Sequence, residues 1–118
     1  MKRKIYLACP YSHPSQLVRE LRTEQVDAKA AELMKKGNLV FSPLSHSHPI
    51  SKYVDVERNA SHEFWLEQDY WILDICDEVR VLCLEGWVDS YGVSAEIARA
   101  KELGMNIVYD YYIQGQRI

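Results

Sequence analysis

Short apolar runs alternate along this chain with longer stretches of helical period, and that alternation leaves few folds open. Ile5–Tyr6–Leu7–Ala8–Cys9 is an apolar run stopped by Pro10, the form of a buried strand. From about Ser15 to Lys36 the residues Leu17, Val18, Leu21, Ala28, Ala31 and Met34 keep near-helical spacing. Lys35–Lys36–Gly37 closes that segment with cations at the negative helix end and a glycine that reverses the chain. Asn38 to Phe41 predicts a second strand, His62 to Cys76 an aromatic-rich second helix, and Val79 to Leu84 a third strand. Val93 to Leu103 predicts a third helix closed by Gly104, and Asn106 to Tyr109 a fourth strand. Residues 43–61, with Pro43, Pro49, His46 and His48, show no clear period and are expected to form a binding loop or lid, with room for short helical turns. The tail from Asp110 to Ile118 carries no strong signal.

Strands separated by helices imply an α/β class: a three-layer sandwich with a mainly parallel sheet of four to five strands and right-handed crossovers. Ligands of such sheets lie outside the carboxyl ends of the strands. The loops that leave strands there are 10–15, 42–61 and 85–92, and all three contain serines.

A chain of 118 residues, 47% of them apolar, suits one domain (1–118) around one core. The formal net charge is −3 and no basic run stands out, which argues against a nucleic acid polymer as partner. A small anionic ligand held by a few local donors stays open. No apolar stretch reaches the ~18 residues of a membrane span, and the run after Met1–Lys2–Arg3–Lys4 is too short for a signal-peptide core. Cys9, Cys76 and Cys83 cannot all pair with one another. They read as buried free thiols of a cytoplasmic protein, with nothing nearby in the sequence to activate a nucleophile.

Two carboxylates stand where apolar residues would be expected. Glu96 falls on or beside the stripe of Val93, Ile97, Ala100 and Leu103. It is either a first-turn acid that complements the helix dipole or a functional group; a capping box fails, since Val93 follows Ser90 by three and Ile97 follows Ser94 by three. Asp69 lies in the stripe of Trp65, Ile72 and Cys76. It either pairs with a nearby Arg or His, or sits in apolar surroundings that raise its pKa and suit a proton donor. Paired carboxylates with separated roles are what breaks a glycosidic bond.

Ser12, Ser90 and Gly92 precede expected helix starts, where they act as simple caps or hold a phosphate or sugar oxygen. No GxGxxG and no Walker-type lysine appears, and no HExxH or Cys–His spacing points to a metal. No cofactor is expected. His46 and His48 line a pocket or are exposed. Of Tyr6, Tyr11, Trp65, Trp71 and Trp87, one or two are expected to face a ligand.

These residues resemble the nucleoside 2-deoxyribosyltransferase superfamily. Ile5 to Pro10 looks like its first strand and loop, usually an apolar strand followed by Ala-Gly-Pro. Glu67–Gln68–Asp69 through Cys76–Asp77 is similar to its Asp-bearing helix and the lead into the next strand. Ser90–Tyr91–Gly92–Val93–Ser94–Ala95–Glu96 resembles its Gly-x-x-x-Glu segment, especially that of the deoxynucleoside 5′-monophosphate N-glycosidase branch. Closer still, the chain looks like a small uncharacterised bacterial family related to that superfamily.

The resemblance implies a flavodoxin-like fold and cleavage or transfer of the N-glycosidic bond of a (deoxy)nucleoside or its 5′-monophosphate. Glu96 would attack C1′, Asp69 would assist departure of the base and Tyr6 would orient Glu96. Ser12 and Ser90 would hold a 5′-phosphate, with Ala8, Cys9, His46 and Gly92 against the substrate. A homo-oligomer, dimer or tetramer, is implied as well. Three departures stand out: Cys9 replaces the usual glycine, no C-terminal residue matches the one the family lends to a neighbour's site, and the histidine-bearing loop is not the family's usual insert. The alternative is a non-catalytic nucleotide-binding or sensor module on the same fold. Geometry discriminates: Glu96 and Asp69 opening onto one pocket favours catalysis, and Glu96 locked by an arginine away from any cavity opposes it.

Overall fold

The computed structural model describes residues 2–54, 62–113 and 116–117. Strands β1 (Lys4–Ala8), β2 (Leu39–Phe41), β3 (Glu78–Cys83), β4 (Asn106–Ile113) and β5 (Gln116–Arg117) form one sheet in the order β2-β1-β3-β4-β5. The first four run parallel, and β5 returns antiparallel to β4. Helices α1 (Gln16–Lys35), α2 (Pro43–Ile50), α3 (His62–Leu73) and α4 (Tyr91–Glu102) alternate with them, and short 3-10 turns occupy Ser51–Tyr53 and Trp87–Asp89.

The period-2 pattern of the strands decides which helix packs where. Ile5, Leu7, Leu82 and Leu84 face α1 and α2, joining Val26, Ala30, Leu33 and Leu44 in one buried cluster. Tyr6, Ala8, Val79, Val81 and Cys83 face the other way, against Leu73 of α3 and Val93 and Ala100 of α4. Two cores on opposite faces of one parallel sheet make the expected three-layer, flavodoxin-like sandwich. Its strand order reverses between β1 and β3, so the loops leaving those two strands diverge and open a crevice.

Several elements differ from the sequence expectation in instructive ways. Ser15 caps α1, accepting from the Val18 N–H, and Gly37 reverses the chain at φ +96° as expected. The buried stripe, however, is Thr23, Val26, Lys29, Ala30 and Leu33, while Leu17, Leu21 and Met34 are exposed. Lys29 can enter that stripe because Asp110 lies 3.7 Å and Glu32 3.2 Å from its Nζ.

Residues 43–50 form a helix rather than an irregular loop. Pro43 occupies its first turn, where the missing N–H costs nothing. Pro49 falls in the last turn, where only one hydrogen bond is forgone. Only Pro43 and Leu44 are buried, so no apolar period marks this helix in the sequence. The rest of that segment, 55–61, lies outside the described residues. α3 stops at Leu73, short of Cys76, and α4 begins at Tyr91, two residues early. β4 runs on through Ile113 into the stretch that carried no signal. No described helix is long and apolar enough to cross a membrane.

Candidate active site

A cavity of about 480 Å³ opens in the crevice at the carboxyl ends of β1 and β3. Four buried carboxylates lie among the described residues: Asp69, Glu78, Glu96 and Asp110. The protein treats them in two ways. Glu78 receives Arg3 at 3.0 Å, Arg80 at 3.1 Å and Asn106 at 3.0 Å. Asp110 receives Arg80 at 3.3 Å and lies 3.7 Å from Lys29. Both are compensated as buried charges must be. Glu96 and Asp69 line the cavity with no cation on either among the described residues.

Glu96 stands in the second turn of α4, so it is not a first-turn acid on the helix dipole. Val93, Glu96 and Ala100 share the buried face at helical spacing. The Tyr6 hydroxyl, projecting from β1 on the same side of the sheet, donates to Glu96 Oε2. That bond holds one oxygen and leaves Oε1 for the cavity. Burial pushes Glu96 up to about 8; the Tyr6 hydroxyl pulls it down and the Asp69 charge adds to the rise. Tyr6 is itself raised well above the ordinary phenol range, by burial first and then by the Glu96 and Asp69 charges, so its proton stays on to be shared with Glu96.

Asp69 shares the buried face of α3 with Leu73, one turn on. No donor among the described residues reaches its carboxyl, and burial raises it to about 7. The two helices that carry the pair are tied by Arg99, whose Nε and Nη2 grip Asp74 at 2.9 and 2.6 Å while its guanidinium lies 5.3 Å from the Tyr70 ring centroid. Arg99 is one turn beyond Glu96 and Asp74 just past the end of α3, so this clamp joins the two helices near the acids.

Ser12, Cys9, Ser90 and Gly92 line the same cavity. Ser90 also caps α4, accepting from the Val93 N–H at 3.2 Å, and its own hydroxyl proton remains for a ligand. A Cβ added at Gly92 would meet no atom within 4 Å, so packing does not demand the glycine and the space belongs to the cavity. Burial raises the Cys9 thiol well above its ordinary value, which removes it as a nucleophile.

Two residues expected against a ligand, Ala8 and His46, do not line this cavity. Ala8 is fully buried in the core between the sheet and α4 and does not line the cavity. His46 lies over Phe41 at 5.9 Å, along a shallow groove with Asp27 and Met34, while His48 takes its place in the cavity wall. The reason is helical: two residues turn the side chain by about 200°. Of the aromatics, Tyr11 and Trp65 line the cavity, Trp71 is exposed, and Trp87 packs on Tyr109 and Tyr111.

Arg22 was not visible as a site residue. It belongs to the body of α1, yet its Nη1 donates to the Ser12 carbonyl at 3.1 Å and its Nη2 to the Glu85 carbonyl at 2.7 Å. It thereby pins together the two loops that bound the crevice and adds a cation to the wall. Gly86 makes room for it: the backbone has φ +88°, and an added Cβ would stand 3.1 Å from Nη2. Gly86→Ala should lower stability by about 1–2 kcal/mol through the left-handed backbone alone and loosen the Arg22 tether, a loss that thermal unfolding measures. Among the described residues, no group of three or more His, Cys, Asp or Glu is placed to hold a metal ion.

Comparison with known proteins bears on the fold. The family model described as Domain of unknown function (DUF1937) matches residues 3–111. A solved 2-deoxyribosyltransferase from Bacillus psychrosaccharolyticus, described as a biocatalyst for synthesis of nucleosides, is similar to 90% of this chain, which spans 70% of that one, at 25% identity and a TM-score of 0.59. The resemblance read from the sequence is thus shared by a structure across most of the chain. No match was found among curated proteins.

Proposed function

The chain belongs to the family DUF1937, and from its likeness to the deoxyribosyltransferase structure and from the cavity we propose that it cleaves or transfers the N-glycosidic bond of a nucleoside or nucleoside 5′-monophosphate. The observation that carries this reading is the pair of buried carboxylates, Glu96 and Asp69, that share one cavity with no cation on either among the described residues, where the other two buried carboxylates described are compensated with arginine and lysine. Leaving charge unpaired is costly, and two acids whose protonation is tuned toward neutrality are equipped for acid and nucleophile roles.

In the first half-reaction Glu96 Oε1 bonds to C1′ as the bond from C1′ to the base nitrogen breaks, and the Asp69 proton passes to the departing base. In the second, water or another base attacks C1′, its proton goes to the Asp69 carboxylate, and the bond to Glu96 breaks. Burial raises both acids in the empty cavity. Positive charge developing at C1′ favours an ionised Glu96, as the Tyr6 hydroxyl bond already does. Ser12, Ser90 and Arg22 offer donors on the same wall, and a 5′-phosphate is the ligand group that would use them. The exposed Asp89 also lines the cavity and opposes an anion.

The test is a panel of nucleosides and 5′-monophosphates assayed for free base. Release from at least one member supports the reading. Arg22→Met should lower kcat/KM for monophosphates by about tenfold or more, through the charged hydrogen bonds lost, and leave nucleosides less affected. Binding without release from any member is what a sensor module would give and overturns the catalytic reading.

A further inference from the structure

The helix that the sequence did not announce carries a feature that the reaction has not yet used. We propose that His48, held by Tyr11, is the residue that selects the base of the substrate; the identity of the ligand as a nucleoside or nucleotide rests on the function proposed above. The proton donor locates the base. Asp69 serves the leaving nitrogen, so the base lies beside α3, where Trp65 and Leu66, one turn before Asp69, line the cavity. Those side chains and Leu44 offer stacking and apolar contact, which every base satisfies nearly alike. Discrimination has to come from polar groups at the ring edge.

α2 supplies them. Leu44, Ser47, His48 and Ser51 recur at helical spacing along the cavity wall. His48 is half-buried and doubly held. The Tyr11 hydroxyl is 2.9 Å from its Nδ1, with the rings edge-on at 5.6 Å, and the Ser51 hydroxyl donates to its carbonyl at 2.6 Å. The Tyr11 hydroxyl and Nδ1 share one proton, and in the tautomer that carries the ring proton on Nε2 the hydroxyl donates to Nδ1. That tautomer offers a ligand an N–H donor on a restrained ring, and the base features it takes are a carbonyl oxygen or an unprotonated ring nitrogen. A restrained donor loses little freedom on binding and rejects a mismatched edge strongly.

Wild type, His48→Ala, His48→Gln and Tyr11→Phe are compared across substrates carrying each common base, by kcat/KM and by quenching of tryptophan fluorescence, with thermal unfolding as the control for folding. His48→Ala is expected to compress the ratio between best and worst base by roughly tenfold, one hydrogen bond's worth of discrimination. His48→Gln, which keeps a donor, should retain part of the ratio, and Tyr11→Phe should fall between. Equal loss on every base, or an unchanged ranking with turnover intact, overturns the proposal while leaving the glycosidic reading standing. A ranking seen in binding and lost in His48→Ala, with no base released anywhere, supports base selection and sinks the glycosidic reading alone. Absence of binding by every member overturns both.

Discussion

Glu96→Ala and Glu96→Gln should each lose about 10⁴-fold or more in kcat/KM for base release, toward the loss of about 10⁶-fold that removing a covalent nucleophile costs elsewhere. The glutamine variant is the sharper of the two. It keeps the volume and can still accept from the Tyr6 hydroxyl, so the wall stays shaped while the attacking oxygen loses its charge. Substrate binding should therefore persist as turnover disappears. Asp69→Asn should cost less, about 10²–10³-fold, and the deficit should shrink with bases that leave without a proton. Rapid-quench detection of a sugar bound to the protein checks the covalent step directly. A Glu96→Gln enzyme that turns over like wild type would remove Glu96 as the nucleophile.

The same substitution should make the protein more stable at pH 8. Glu96 rises from an ordinary 4.5 to about 8 and Asp69 from 3.8 to about 7, both through burial first. Folding therefore favours the protonated acids. That stability is complete below the unfolded values, near pH 4, and is lost as pH rises through the folded ones. Glu96→Gln has no proton to lose. At pH 8 it should exceed wild type by about 2–4 kcal/mol, taking about 1.4 kcal/mol per pKa unit and allowing for the mutual influence of the two acids. At pH 4 the two should melt together. Thermal unfolding followed from pH 4 to pH 8 measures the divergence, and curves that stay parallel would mean the acids are paired in solution after all. Glu78 and Asp110 should show no such gain, because either neutral replacement would take one anionic partner from Arg80 and, at Asp110, one from Lys29 as well.

Much of this architecture can be read from local sequence physics. Apolar runs ending at Pro10 and Pro43 and glycines at 37 and 104 mark where strands and helices stop, because those residues constrain the backbone whatever surrounds them. The displaced carboxylates are legible for the same kind of reason. Glu96 and Asp69 occupy positions at i, i+3 and i+4 to buried residues, and helical geometry carries them inward with their neighbours. Ser90 follows from its place just before a helix, and Gly92 from its place near that helix start.

What the tertiary structure alone decided depends on residues far apart in the chain. The buried face of α1 is the one that meets the sheet through Val26, Ala30 and Leu33, and Asp110 and Glu32 let Lys29 lie on it while Leu17 and Leu21 stay out. Arg22 became part of the site only when the loops after β1 and β3 came within reach of one guanidinium. Ala8 was drawn into the core by α4. α2 has no apolar period of its own, so nothing in its eight residues shows that it is helical, nor that the helix turns His48 toward the cavity and His46 away. The two acids were set by local periodicity, which each helix obeys by itself. Their meeting on one cavity needed the strand order to reverse between β1 and β3, and strand order is a choice among long-range pairings that no short window of sequence contains.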